Sequence, residues 1–124
     1  MPANNRPLSP HLQVYRLPLT GLISITHRIT GVLLCLGLLG IVAVLYSIAA
    51  GVAGYAAMQS LMSFWLSQLV FWGFIYALLF HICHGIRHLI WDAGKSFELL
   101  SLQRYAVYEL IASLLLTVLV YSFF

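Results

Sequence analysis

Ser24, His27, Arg28, His81, His84, His88 and Asp92 are polar or ionisable residues set in or beside apolar runs, and their spacing is not random. In the stretch FHICHGIRHLIWD, residues 80–92, a helical period puts His81, His84, His88 and Asp92 on one side, with Arg87 pointing well away. That stripe extends about 16 Å at 1.5 Å per residue. Ser24, His27, Arg28 and Gly31 follow an i, i+3, i+4, i+7 spacing, so they share a face of their own. An Arg held at mid-bilayer costs about 2.5–3.5 kcal/mol on insertion scales, so ionisable groups in such runs are functional candidates by default.

Each has a plainer reading. Arg and His near a helix end can reach the headgroups with their polar tips, and a lone intramembrane His usually makes one interhelical hydrogen bond. Three histidines on one face are harder to place that way. A structural zinc site asks for about four converging N or S ligands, and Cys83 points to a different face from His81 and His84. A membrane haem asks for an imidazole on each side of the ring from different helices, small residues where the ring packs, and cations for the propionates. His81 fits an axial ligand, Gly85 leaves room for a flat ring, and His27 and Arg28 fit propionate partners. His81 and His84 lie on one helix and cannot clamp both faces of one haem. The second ligand is then His27 or a residue of another polypeptide, and the place of His27 near a helix start favours the latter. Haem ligation, a proton or ion relay, and packing all stay open at this level.

The elements that hold these residues are membrane helices. Of 124 residues, 62% are hydrophobic and 7% charged, against roughly 25% charged in a soluble domain. The expected fold is all-α, with three transmembrane helices at about 22–49, 62–91 and 104–124, behind a Pro-rich N-terminal arm at 1–21. Gly51–Ser60 reads as a short uncharged turn, and Asp92–Gln103 as a charged loop. Lys and Arg cluster in the arm and around the second connection, which predicts that both face the cytoplasm and that the C-terminus lies outside. Trp65, Tyr55 and Trp91 fall near the predicted interfaces. The net charge of +3 is a matter of topology and not of nucleic-acid binding. Cys35 and Cys83 lie in apolar runs and are expected to be unpaired. The first 23 residues have neither an apolar signal core nor an organelle-type presequence. A bacterial cytoplasmic membrane is therefore expected, or an organelle inner membrane for a processed precursor.

Three segments, RPLSPHLQVYRLPL at 6–19, SITHRITG at 24–31 and HICHGIRHLIWDAG at 81–94, carry a resemblance to the cytochrome b membrane anchors of succinate dehydrogenase (succinate:quinone oxidoreductase, complex II). The pattern S-x-x-H-R-x-S/T-G, followed about fifty residues later by H-x-x-x-G-x-R-H-x-x-x-D, is specific, and the likeness covers nearly the whole chain. It implies pairing with a second three-helix anchor subunit into one bundle, with haem b shared between them. His81 then corresponds to the axial ligand, and His27 with Arg28 to groups near the propionates. Ser24 and Arg28 correspond to the ubiquinone pocket, with Asp92 and His88 as support. His84 stands where relatives commonly carry an uncharged residue, which leaves it beside a propionate or the partner. The resemblance implies a flavoprotein subunit that oxidises succinate and an iron–sulfur subunit that relays electrons to ubiquinone. This chain has no flavin motif and no cysteine cluster for those steps. A stand-alone haem electron carrier is the nearest rival, but it generally needs both axial ligands in one chain. A His-lined proton or metal transporter is another, but it predicts acidic groups continuing across the membrane.

Overall fold

The structure is a computed structural model that describes residues 16–124; the arm expected at 1–21 falls mostly outside that range. Four helices follow one another: α1 (Leu19–Ala49), α2 (Val52–Met62), α3 (Trp65–Asp92) and α4 (Leu99–Ser122). At 1.5 Å per residue, α1, α3 and α4 run for about 46, 42 and 36 Å, each more than a hydrocarbon core of about 30 Å. All three are also apolar enough to cross a membrane. α1 starts three residues before the expected position and α4 five before it, so both extend past the apolar runs that announce them.

The span between Gly51 and Ser60 differs from its reading as a turn. Only Ala50 and Gly51 turn, and helix α2 follows at once. Gly51 takes φ +84°, a left-handed conformation that glycine adopts without steric cost. Gly54 lets α2 lie against the end of α1: a Cβ there would come 2.5 Å from the Ser47 carbonyl oxygen and 2.9 Å from Ala50 Cβ. Glycines read as turn formers thus do two jobs, one bending the chain and the other admitting a close helix contact.

The long helices pack α1 on α3 and α3 on α4, antiparallel in each case. Near one end Thr30 of α1 meets His81 of α3; near the other, Trp72 and Tyr121 of α3 and α4 pack edge to face at 4.9 Å. α3 stops in a Schellman arrangement: Lys95 N–H donates to the Ile90 carbonyl at 3.2 Å and Gly94 N–H to that of Trp91 at 2.8 Å, with Gly94 left-handed at φ +74°.

The interior inverts the usual pattern. The buried apolar residues are Ile23, Ala77, Phe80 and Ala106, while the buried polar ones are Thr30, His84, Arg87, Glu109 and Ser113. Large apolar side chains cover the outside of every long helix, as expected of a chain whose surroundings are lipid and other hydrophobic helices. Both cysteines are free.

Candidate functional site

The histidines of the two sequence motifs come together where α1 packs on α3. His27 on α1 faces the α3 histidines, with ring centroids 3.9 Å from His81, 4.3 Å from His84 and 5.8 Å from His88. A small residue makes the approach possible: a Cβ on Gly31 would stand 3.3 Å from His81 Cε1. Nitrogen atoms of His27, His84 and His88 lie within 4.8 Å of one another. Two of these histidines, His84 and His88, are one turn apart on α3, as a shared face requires.

The stripe does not act as one unit. His81 is half-buried and turned to α1, where its Nδ1 lies 3.1 Å from Thr30 Oγ1. The Thr30 hydroxyl also donates to the His27 carbonyl at 2.8 Å. His84 is 1% exposed and turned to α4, where its Nδ1–H donates to Glu109 Oε1 at 2.7 Å. His88 lies at the rim, its ring edge-on to Trp91 at 5.0 Å, and Asp92 is exposed at the helix end.

Arg87 does point away from His81, as its position on the helical wheel requires, and the direction it takes is into α4. Its Nη1–H donates to Glu109 Oε2 at 3.2 Å and its Nη2–H to the Leu102 carbonyl at 2.9 Å. Its guanidinium carbon stands 4.6 Å over the Trp91 ring. Glu109 thereby takes one donor on each oxygen and ties α4 to two positions of α3. Sequence reasoning set Arg87 aside and did not single out Glu109 or Thr30. For Glu109 a signal was present: the sequence has three acids, Asp92, Glu98 and Glu109, and Glu109 alone falls well inside an apolar run, where it needs a partner. For Thr30 the signal was its place in the S-x-x-H-R-x-S/T-G pattern, which does not say what the hydroxyl meets, and a Thr in a membrane helix usually bonds its own backbone.

On α1, Ser24 is half-buried and Arg28 exposed, a turn apart on the side that continues to His27. Among the described residues neither Arg28 nor Asp92 has an ion-pair partner. The two therefore stand at the rim of the histidine cluster and not inside it.

The site's hydrogen bonding is incomplete in one respect. Three buried side-chain nitrogens have no partner among the described residues: Arg87 Nε, and His27 Nε2 and His84 Nε2, on two rings whose centroids lie 4.3 Å apart. Unpartnered buried nitrogens are uncommon and call for a ligand, an ion or water. On the same helix, a Cβ added to Gly85 would meet no atom within 4 Å, so the surface beside the cluster is open to a flat group.

Residues 2–120 match the family described as the succinate dehydrogenase/fumarate reductase transmembrane subunit. The chain belongs to that family. It is 42% identical over 95 residues to the succinate dehydrogenase cytochrome b556 subunit of Paracoccus denitrificans, covering 77% of this chain and 73% of that protein. The corresponding cytochrome b556 subunit of Rickettsia felis is 32% identical over 118 residues, 95% of this chain and 92% of that one. The mitochondrial cytochrome b560 subunit of Sus scrofa is 36% identical over 122 residues, 93% of this chain and 69% of that protein. With three long apolar helices and these relatives, the chain is a multi-pass cytochrome b membrane subunit of succinate dehydrogenase, the anchor component of complex II.

Proposed function

We propose that this chain holds one side of a haem b through His81 and forms part of the pocket in which ubiquinone is reduced with electrons from succinate. The observation that carries the reading is the placement of His81. Its ring stands at the α1–α3 contact with Nδ1 engaged by Thr30, it is half-buried and so reachable from outside the chain, and it belongs to a chain whose relatives are named cytochrome b subunits.

The residues present fit the group. The orphaned Nε2 of His27 offers a buried nitrogen to a propionate, and Arg28 offers a cation at the rim. The open side of Gly85 accepts a planar ring. His84 adjoins His27 but has its Nδ1 committed to Glu109, so its share in this region rests on Nε2. When bound, haem supplies a one-electron site whose potential follows from its ligands, hydrogen bonds and burial.

Ser24 and Arg28 serve the quinone: the hydroxyl donates to a quinone oxygen, and the guanidinium meets the negative charge that develops there, a fixed donor at a developing anion. Exposed Asp92 and His88 lie at the same end of the bundle and support that pocket. A residue of a second three-helix anchor subunit would supply the other ligand to the haem, and the helices of that subunit would cover part of the apolar surface that this chain leaves open. An iron–sulfur subunit and a flavoprotein subunit dock on the cytoplasmic side, at the end of the bundle that carries the Lys95 connection. No succinate chemistry occurs in this chain.

The test is a reduced-minus-oxidised visible spectrum of the purified complex with succinate as reductant, for wild type and His81→Leu. A b-type α-band that succinate reduces, and that is lost or shifted in the variant, is the expected result. A wild-type complex with subunits intact and no such band would remove the haem reading.

A further inference from the structure

The hydrogen bonding around Thr30 determines which nitrogen of His81 is free. A threonine hydroxyl has one proton to give. Thr30 lies in α1, and its hydroxyl gives that proton to the His27 carbonyl, 2.8 Å away. Toward His81 Nδ1, at 3.1 Å, the same oxygen can then only accept. The proton of the neutral imidazole is therefore on Nδ1, and the lone pair is on Nε2. Two further contacts hold the ring in that pose: the Cβ-less backbone of Gly31 leaves room for His81 Cε1, and the His27 ring stacks on it at 3.9 Å. Thr30 is 6% exposed, so water does not compete for the bond.

We infer that Thr30 is the positioning residue of His81, fixing its Nδ1–H tautomer and its ring plane so that Nε2 is the atom offered to iron. The inference rests on the reading of His81 as the axial ligand and adds the residue that prepares it. A ligating histidine commonly donates its other N–H to an oxygen, which sets the tautomer and raises the basicity of the ligating nitrogen. A more basic ligand favours the ferric state, so the Thr30 bond lowers the haem potential. The device is assembled from one helix turn: Thr30 is anchored on the carbonyl of His27, the residue whose own ring covers His81.

The whole complex is purified with Thr30→Val, which keeps the shape and removes the hydroxyl, with Thr30→Ala, which cannot crowd the ring, and with Thr30→Ser, which restores the acceptor. Three properties are read: haem per complex, midpoint potential by optical redox titration, and the ferric low-spin EPR g-values. Val and Ala are expected to keep haem, shift the potential in the positive direction and move the largest g-value, with Ser at wild-type values. Loss of haem in Val and Ala with retention in Ser would also support the hydroxyl's role. Wild-type potentials and g-values in Val and Ala would overturn the inference, as would equal haem loss in all three variants. His81→Leu separates this from the parent reading. If that variant keeps an unchanged haem spectrum, the ligand assignment itself fails. If it loses the spectrum while Thr30→Val is unshifted, His81 stands and Thr30 is only a packing residue.

Discussion

At the scale of single residues, Glu109 is the group on which the buried polar network depends. It accepts from His84 and from Arg87 on separate oxygens, and all three residues are buried. Removing one member of a buried pair leaves the other charge without compensation, at a cost of about 3–5 kcal/mol, whereas replacing both members by apolar groups is often nearly neutral. Glu109→Leu is therefore expected to lower the thermal midpoint of the purified complex sharply. Glu109→Gln, which still accepts on its amide oxygen, is expected to cost less. The double variant Glu109→Leu/Arg87→Met is expected to recover a large part of the loss, and a thermal-shift cycle over wild type, Glu109→Leu, Arg87→Met and the double variant reads the coupling directly. Strict additivity would mean that the two residues are independent despite their contact. The sequence marked His81, His84 and His88 by period alone, but it grouped them as one stripe. Their division of labour, His81 to α1 and His84 to α4, depends on which helix packs on which side, and the spacing within one helix does not contain that information.

At the scale of elements, the three long helices were legible because apolar runs of membrane-crossing length leave few alternatives. Helix α2 was not. Its sequence holds Gly51 and Gly54, no charge and no long apolar run, and those features describe a turn as well as a short helix. The choice between them is made by tertiary contact, since α2 lies on α1 and on the start of α3. Gly54 makes that contact possible. Gly54→Ala is expected to destabilise the α1–α2 corner by about 1–3 kcal/mol, the range for overpacking a close contact. Hydrogen–deuterium exchange should rise over residues 50–64 while the histidine end keeps its protection. Gly40 is the internal control, because a Cβ there meets no atom within 4 Å. Gly40→Ala is expected to be neutral or stabilising by about 0.5–1 kcal/mol, since glycine inside a helix is costly. Equal exchange in the two variants would mean that the corner is not held by the approach at Gly54.

At the scale of the whole molecule, the arrangement of polarity explains why the chain is one part of a larger assembly. Among the described residues the buried polar side chains outnumber the buried apolar ones, five to four, and large apolar side chains face outward. The features that stay outward at the histidine end, Ser24, Arg28, His88 and Asp92, are polar and only partly covered, which suits a pocket completed by other subunits. The family motif made these residues visible in the sequence, yet it carried no information on their depth or on what closes over them, because both depend on chains that this sequence does not encode. If the pocket is one for ubiquinone, loss of Arg28 and of Ser24 should act on the quinone half-reaction alone. Arg28→Ala is expected to lower succinate–ubiquinone reductase activity by about a hundredfold, the lower range for losing a fixed donor at a developing negative charge. Ser24→Ala removes one neutral hydrogen bond, worth about 0.5–1.5 kcal/mol, and is expected to cost about tenfold or less. Succinate oxidation measured with a water-soluble dye should be unchanged in both, since that reaction ends before the membrane. A parallel fall in the dye assay would instead mean that these residues hold the hydrophilic subunits in place, and would move Ser24 and Arg28 from the quinone pocket to the docking surface.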